Sequence, residues 1–305
     1  MVAPDRPAQR EHAQHDDREH EEGEDHDEHV VTLERVTAER NSRCMTICTH
    51  APTVAETLRG DPLERPMVDR TRAGGLRALL EDGIYDVVGA NNPDVPIVIR
   101  SSTLRRDPPV IDSMASQLGR LRGVLVHQVL RLASVGVTPE FPFADALAAW
   151  RLDARGALVT CFDQLSSDDR ARLEADVSAH AVTLRRALGD IPASWMPRSA
   201  LRVSQRLAGG RVLLHDLVDL MVGTTSGVAS VALLDLSTSP LGQDAERTLR
   251  YHALVQTLRT SIPPLRVSSF SSATGELWTS DVDDDLLNRA AHDVLEAVGA
   301  QWGRA

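Results

Sequence analysis

The sequence predicts an α/β protein in which helices flank a mixed central β-sheet and a largely helical region precedes the sheet. Three observations predict this class. Apolar residues recur at helical spacing across residues 75–190. After Pro197, short apolar runs separated by Gly, Ser and Pro predict strands instead. The chain has 305 residues, of which 42% are hydrophobic and 25% charged, as in proteins with an ordinary buried core.

The first seventy residues are predicted to precede the folded domain. Residues 1–30 contain eleven Asp and Glu but three Arg, a net charge of −8, and they lack the apolar residues that a core needs. Five histidines among these acids could hold Zn²⁺ or Ni²⁺ loosely, but a solvated acidic tail is the simpler interpretation because nothing fixes a ligand geometry. Residues 31–70 are predicted to be loop-rich. Their Cys44, Cys48 and His50 lack the second half of a four-ligand metal site.

The helical part is predicted over residues 71–194. Each helix shows apolar residues at a spacing of three and four and ends near Gly or Pro. The segments are LRALLEDGIYDVVG, VIDSMASQLGRLRGVLVHQVLRLASVGV (which carries His127), FADALAAW, and SSDDRARLEADVSAHAVTLRRALG, which starts on capping residues and ends at Gly189.

The sheet part is predicted over residues 195–305 with the element order β-β-β-α-β-β-α. ALRVSQRL and RVLLHDLVDLMVG flank a Gly-Gly turn and predict a hairpin. VASVALLDLS predicts the third strand, and DAERTLRYHALVQTLR a helix between prolines. LRVSSFSS and GELWTSDV predict two more strands, and DDDLLNRAAHDVLEAVGAQW a closing helix with acids at its start.

Charge and composition restrict the classes of partner. The net charge is −11, but the 275 residues after the tail carry 33 acids and 30 basic residues, a net of −3. All basic residues are arginine, and no overall basic field points to nucleic acid, although a local site is not excluded. No apolar run approaches the roughly 18 residues of a membrane span. The acidic start is not a secretory signal, and three cysteines form no disulfide framework, so a cytoplasmic protein is predicted.

Two carboxylates lie near the ends of strands that otherwise read as buried. Asp219 and Asp235 occupy two predicted central strands, and pairing of these strands would bring the carboxylates together. Two carboxylates brought close together repel each other unless a cation lies between them. Among cations, oxygen ligands select Mg²⁺ or Mn²⁺. Either aspartate could instead cap a helix, pair with an arginine or lie in water at a strand end. The residues alone leave these alternatives open.

The segments GRVLLHDLVDLMVG, VALLDLST, RTLRYHALVQTLR and PPLRVSSFSSATGELW together resemble the PD-(D/E)XK nuclease superfamily, within it the RecB-like exonuclease branch. The resemblance covers residues 195–300 and reaches back to the helix of His127. It implies a restriction-endonuclease-like core and metal-dependent cleavage of nucleic acid. His127, Asp219 and Asp235 match the metal ligands of the family, and Tyr251 matches its helix tyrosine.

Two positions depart from the pattern of that family. Ser237 stands where the family has a lysine two residues after the second acid, and Arg247 stands where it has a glutamine four residues before the tyrosine. A serine hydroxyl is neither a cation nor a usable base near neutral pH. Because the chain contains no lysine, none can replace it from another element. Arg247, Arg250 or Arg266 could supply positive charge, although arginine is a poor proton acceptor.

Three functions follow from these residues and stay open. The first is metal-dependent phosphodiester hydrolysis on nucleic acid, DNA being favoured over RNA, with Asp219, Asp235, Ser237, Tyr251 and Arg247 as the catalytic candidates. The second is a catalytically inactive nuclease-fold module that binds nucleic acid or protein. The third is an unrelated scaffold whose acidic tail recruits a basic protein partner. A structural role is expected for His215, and core packing or base stacking for Trp195 and Trp278.

Overall fold

The computed structural model describes residues 52–67, 69–89, 95–104, 114–154, 156–224 and 229–303. The acidic tail and the Cys44–His50 segment lie outside the described residues. Across these ranges, the chain forms eight α-helices and six β-strands, together with four short 3₁₀ turns. The helices are α1 (Val54–Arg59), α2 (Thr71–Val88), α3 (Met114–Ser134), α4 (Pro142–Asp153), α5 (Ala157–Asp163), α6 (Ser167–Leu188), α7 (Gln243–Thr260) and α8 (Asp284–Trp302). The strands are β1 (Ile97–Ile99), β2 (Arg198–Leu207), β3 (Val212–Val222), β4 (Ala232–Ser237), β5 (Arg266–Ser271) and β6 (Leu277–Asp281).

Strand β3 organises the sheet because it has strands along both edges. β2 pairs with it in antiparallel fashion along one edge, as the predicted hairpin requires. On the other edge, β1 runs parallel to the start of β3 and β4 runs antiparallel to its end. β5 is parallel to β4, and β6 is antiparallel to β5. Between the ladders of β1 and β4, residues 215–219 of β3 have no described strand partner on that edge.

Two apolar cores cover the two faces of the sheet. On one face, α2, α7 and α8 pack through residues such as Ile84, Leu254 and Val294, all fully buried. On the other face, α3, α4 and α6 pack through residues such as Leu125 and Val177. Side chains of successive residues in β4 alternate between the two cores, as expected for a central strand. The predicted class, helices on a mixed central sheet, is confirmed.

The order of elements after residue 195 agrees with the prediction, and two differences precede it. β1 lies within the region predicted to be helical. Its three residues are too few to show a period, and pairing with β3 is what makes them a strand. α1 lies within the region predicted to be loop-rich. Its capping box, formed by Thr53 and Glu56, is present in the sequence, and Val54 and Leu58 are buried against the sheet and α6.

Within the described part of the chain, none of the helices combines the length and the apolar character that crossing a bilayer requires.

Candidate functional site

An open polar cleft of about 490 Å³ lies at the carboxyl end of β4. Its walls are the end of β4, the loop that follows, the first turns of α7, and side chains from α3, β3 and β5. Asp219, Asp235 and His127 all line it, together with Ser237 and Ser269. The structure thus brings the three predicted metal ligands together in this cleft, which is called the acidic cleft below.

The divergence of β3 from β4 places the two carboxylates side by side. Leu220 pairs with Leu234, so the same register continued by one residue sets Asp219 opposite Asp235. Opposite residues of an antiparallel pair point to the same face. The ladder ends there, and Asp219 Oδ2 instead accepts a hydrogen bond from the Leu236 backbone N–H at 2.7 Å. The Asp219 side chain therefore closes the seam between the two strands.

His127 reaches Asp219 from α3. Its Nε2 lies 3.1 Å from Asp219 Oδ1, and its Nδ1 donates to the Gly123 carbonyl one turn earlier at 2.6 Å. Burial by itself lowers the pKa of His127, but the charge and hydrogen bond of Asp219 outweigh it and raise the pKa to about 9. At neutral pH the imidazole is therefore a cation that neutralises Asp219.

Asp235 contacts groups on β5 and α7. The Ser269 hydroxyl donates to its Oδ2 at 3.2 Å, and its Oδ1 lies 3.6 Å from His252 Nε2, an ion-pair distance longer than a hydrogen bond. Burial acts to raise the pKa of the Asp235 carboxyl, but His252 and then His127 outweigh burial and hold that pKa below its usual value. Asp235 is therefore ionised.

A second acid holds His252 from the other side. Asp216 lies 2.8 Å from His252 Nδ1 through Oδ2, and both side chains are 1% exposed. Burial lowers the pKa of His252, but the Asp216 carboxylate outweighs it and raises the pKa well above its ordinary value. The buried pair of Asp216 and His252 thus forms a row with Asp235, whose side chain is 25% exposed at the acidic cleft. Sequence reasoning missed Asp216 and His252, although buried polar residues four apart on α7 (Thr248, His252, Gln256) were a visible signal.

The structure places Tyr251 and His215 away from the cleft. The Tyr251 hydroxyl donates to the backbone oxygens of Ile99 and His215, inside the core between α7 and the sheet. Neighbouring residues of a helix face different directions, so the side chain that reaches Asp235 is His252 rather than Tyr251. His215 Nδ1 lies 3.0 Å from the Ser204 hydroxyl across the hairpin, a structural contact.

The arginines that were predicted to replace the missing lysine are paired elsewhere. Arg247 contacts the Leu104 carbonyl and Asp293, and Arg250 contacts Asp293 and Glu246. Arg266 pairs with Asp281 on the neighbouring strand and donates to the Thr57 carbonyl of α1. Of the described residues that line the acidic cleft, none is an arginine. Ser237 lines it but donates its hydroxyl to the Ser239 carbonyl.

The residues of the cleft fit a divalent cation in part. No group of three or more His, Cys, Asp or Glu side chains among the described residues is arranged to hold a metal ion. His127 in its protonated form donates and cannot ligate. Asp219 and Asp235 nevertheless offer hard oxygen atoms to an open cleft, and Mg²⁺ is often held by one or two carboxylates with waters and substrate phosphates completing its shell. The donor set fits Mg²⁺ or Mn²⁺ held by the two aspartates.

Comparison with known proteins adds little to this geometry. No protein-family model matches the chain, and no curated protein matches it. Among solved structures, the chain is similar to one named "Crystal structure of SSO0001", with 9% sequence identity over 72% of this chain and 84% of that chain. The TM-score of this pair is 0.26, which is too low to support a statement about fold or function.

Proposed function

We propose that this chain hydrolyses phosphodiester bonds of nucleic acid, DNA in preference to RNA, in a reaction that depends on Mg²⁺ or Mn²⁺. One observation carries the proposal. Asp219 and Asp235 come from neighbouring strands, project into one open cleft, and are accompanied there by His127. His127 and His252 offset the two aspartates when no ion is bound, and two carboxylates that border one open cleft remain suited to binding a divalent cation.

The side chains around the two aspartates have separate parts in this proposal. Asp219 and Asp235 would hold the ion, which when bound offsets the phosphate charge and lowers the pKa of water. Ser269 and His252 fix the orientation of Asp235, and in the absence of the ion the Leu236 N–H holds Asp219. His127 is a proton donor within reach of the cleft. It is therefore the described group best suited to protonate a leaving oxygen there.

A second candidate function, a nuclease-fold module that binds without cleaving, is favoured by a specific observation. The described lining of the cleft includes no arginine, and Ser237 occupies the position of the family's lysine. An acidic cleft repels a phosphate backbone unless a cation intervenes. Recruitment of a basic protein partner by the acidic tail belongs to the third alternative, the unrelated scaffold.

Cleavage assays with matched variants test the proposal. The purified chain is incubated with single- and double-stranded DNA and Mn²⁺, in parallel with Asp219→Asn, Asp235→Asn and Asp86→Asn. Asp86 is an exposed acid of α2 and serves as the control. We expect cleavage by the wild type and Asp86→Asn, and a loss of at least about 10²-fold in each cleft variant because a charge that contacts the ion is removed.

The melting temperature separates the two candidates. A rise in melting temperature on addition of Mn²⁺ that Asp235→Asn loses, without cleavage, would favour the binding module. Absence of both cleavage and metal stabilisation would contradict the proposal, provided that circular dichroism shows the protein folded. Cleavage that survives in Asp235→Asn would point to a contaminating nuclease and contradict it as well.

A further inference from the structure

A pocket of about 260 Å³ lies at the opposite end of β4 from the acidic cleft. It is lined by Arg59, Arg65 and Trp195 together with Ser194 and backbone around the end of β3. Ser230, just before β4, also borders it. β4 spans five residue steps, so the pocket and the cleft are separated by about 17 Å along the strand. The name basic pocket is used for this site below.

Neither arginine of the basic pocket forms an ion pair with a described carboxylate, although Glu56 and Asp190 line an adjoining depression beside Arg59. The Arg59 guanidinium lies over the Trp195 ring, 5.0 Å from its centroid. Arg65 donates to the Arg59 carbonyl at 3.2 Å, while its Nε is buried and has no hydrogen-bond partner among the described residues. The acid of the same helix, Glu56, accepts hydrogen bonds from Thr53 in the capping box. Both guanidinium groups therefore keep donors available for an anion.

Further positive charge lies close to the basic pocket. Arg198 donates to the carbonyl of Gly223, a pocket residue, at 2.7 Å. Burial and the neighbouring Arg259 lower the pKa of Arg198, so cations are crowded at this end of the sheet. In the described part of the chain, neither Arg198 nor Arg259 forms an ion pair with an acid. Like charges brought this close favour binding of an anion between or beside them.

The shape of the basic pocket favours one class of anion. Trp195 is half-buried and forms one wall of the pocket and of a second, adjoining depression that also contains Arg59. An arginine pair beside an indole ring provides donors for a phosphate and an aromatic surface for a base. An isolated phosphate ion would contact only the arginines and would leave the indole ring without a partner.

We propose that the basic pocket binds a single strand of nucleic acid, with phosphate at Arg59 and Arg65 and a base stacked on Trp195. The inference rests on the proposed function for the identity of the ligand, and it supplies the cationic contacts that the acidic cleft lacks. The binding step itself needs neither a metal nor an intact cleft.

Fluorescence anisotropy with labelled single-stranded oligo(dT), in EDTA and without divalent ions, tests the proposal. The full chain is compared with Arg59→Gln/Arg65→Gln and with the control Arg186→Gln/Arg289→Gln, which removes two exposed arginines of α6 and α8. Each phosphate contact contributes about 0.7 to the slope of log K against log salt for a single strand. We expect the pocket variant to bind more weakly and to lose about 1.4 from that slope. The control should keep the slope of the wild type.

Two variants of Trp195 test the stacking contact separately. Trp195→Leu should weaken binding roughly 5- to 150-fold, the range for one stacked base, and Trp195→Phe should restore most of it. Unchanged binding and slope in the arginine variant would overturn the proposal, as would an equal loss in the control pair. Binding of a phosphoserine peptide at least as tight as oligo(dT), with the same dependence on Arg59, would assign the pocket to phosphoproteins and overturn it too.

The same assay distinguishes failure of this inference from failure of the proposed function. Asp235→Asn should bind oligo(dT) in EDTA as the wild type does. If binding depends on Arg59 and Arg65 but no cleavage appears with Mn²⁺, the basic pocket stands and the hydrolytic proposal fails. If cleavage appears but binding does not depend on these arginines, the hydrolytic proposal stands and the proposal for the basic pocket fails.

Discussion

The acidic cleft and the basic pocket lie at the two ends of β4 and have opposite charge. The cleft contains ionised aspartates that are compensated by histidines, one from each face of the sheet. The pocket contains guanidinium groups with no described carboxylate partner. A net charge near zero for the folded part therefore conceals a separation of charge along one strand. Overall charge is a poor guide to nucleic-acid binding when both signs are segregated in this way.

The charged side chains of the acidic cleft are paired and contribute to folding stability, whereas those of the basic pocket are available for binding. His252 offsets the buried Asp216 and the partly exposed Asp235, so it is part of the structure of the sheet as well as of the cleft. Arg59 and Arg65 pair with no described acid, so their removal should change the free energy of unfolding by only about 1 kcal/mol, mainly through the lost contact of Arg59 with Trp195. Variants that test this contrast follow in order of expected effect.

Replacement of His252 by alanine should have the largest effect. It leaves Asp216 buried without its cation and removes the ion pair of the partly exposed Asp235, which we expect to lower the free energy of unfolding by about 3–5 kcal/mol. Urea denaturation at neutral pH measures the change. His215→Ala, which removes a partly exposed imidazole from β3, is the control and should cost far less. Equal costs for the two variants would show that this row contributes no special stability.

Introduction of a lysine at position 237 should alter the cleft most directly. Ser237 and Asp235 are two residues apart on one strand face, so Ser237→Lys adds an ammonium group beside the ionised aspartates. We expect the rate of DNA cleavage with Mn²⁺ to rise on the order of 10²-fold, the lower range for a restored acid–base or charge partner. Ser237→Ala, the neutral control, should keep the rate of the wild type. An unchanged rate in both would mean that the missing cation does not limit the reaction.

Replacement of His127 by glutamine should change the pH dependence of stability by a smaller amount. The pKa of His127 is about 9 in the folded chain against 6.5 ordinarily, so its contribution to stability is complete below pH 6.5 and is lost as pH rises through 9. Between these values, the free energy of unfolding in EDTA should fall more steeply for the wild type than for His127→Gln. His292→Gln, which removes an exposed imidazole of α8, should follow the wild type. Parallel curves for His127→Gln and the wild type would contradict the ion pair with Asp219.

Much of the sheet, together with Asp219 and Asp235, could be predicted from the alternation of residue types along the strands. Asp219 and Asp235 follow from alternation along two apolar strands, because side chains two apart share a face. The role of His127 could not be predicted from such a pattern, because a lone histidine on an amphipathic helix does not show which group it contacts. It was identified only through the family resemblance, and the structure places it 3.1 Å from Asp219.

The remaining site residues depend on contacts that no local pattern encodes. His252 and Asp216 lie on different elements, and the identity of the buried neighbour, His252 rather than Tyr251, is set by how α7 is rotated on the sheet. The basic pocket joins Arg59 and Arg65 to Trp195, which is more than a hundred residues away. Two of its three side chains lie in the segment predicted to be loop-rich. Such long-range contacts appear only once α1 packs on the sheet.

The hydrogen bond from Leu236 to Asp219 has one more consequence. A carboxylate on a rotatable side chain, unlike a backbone carbonyl, can leave its donor without any movement of the strands. An ion held by Asp219 would compete with the Leu236 amide for Oδ2, and the amide would then be a free main-chain donor at the mouth of the cleft. Binding of the ion and recognition of an oxygen of the incoming ligand would in that case be coupled through one carboxylate.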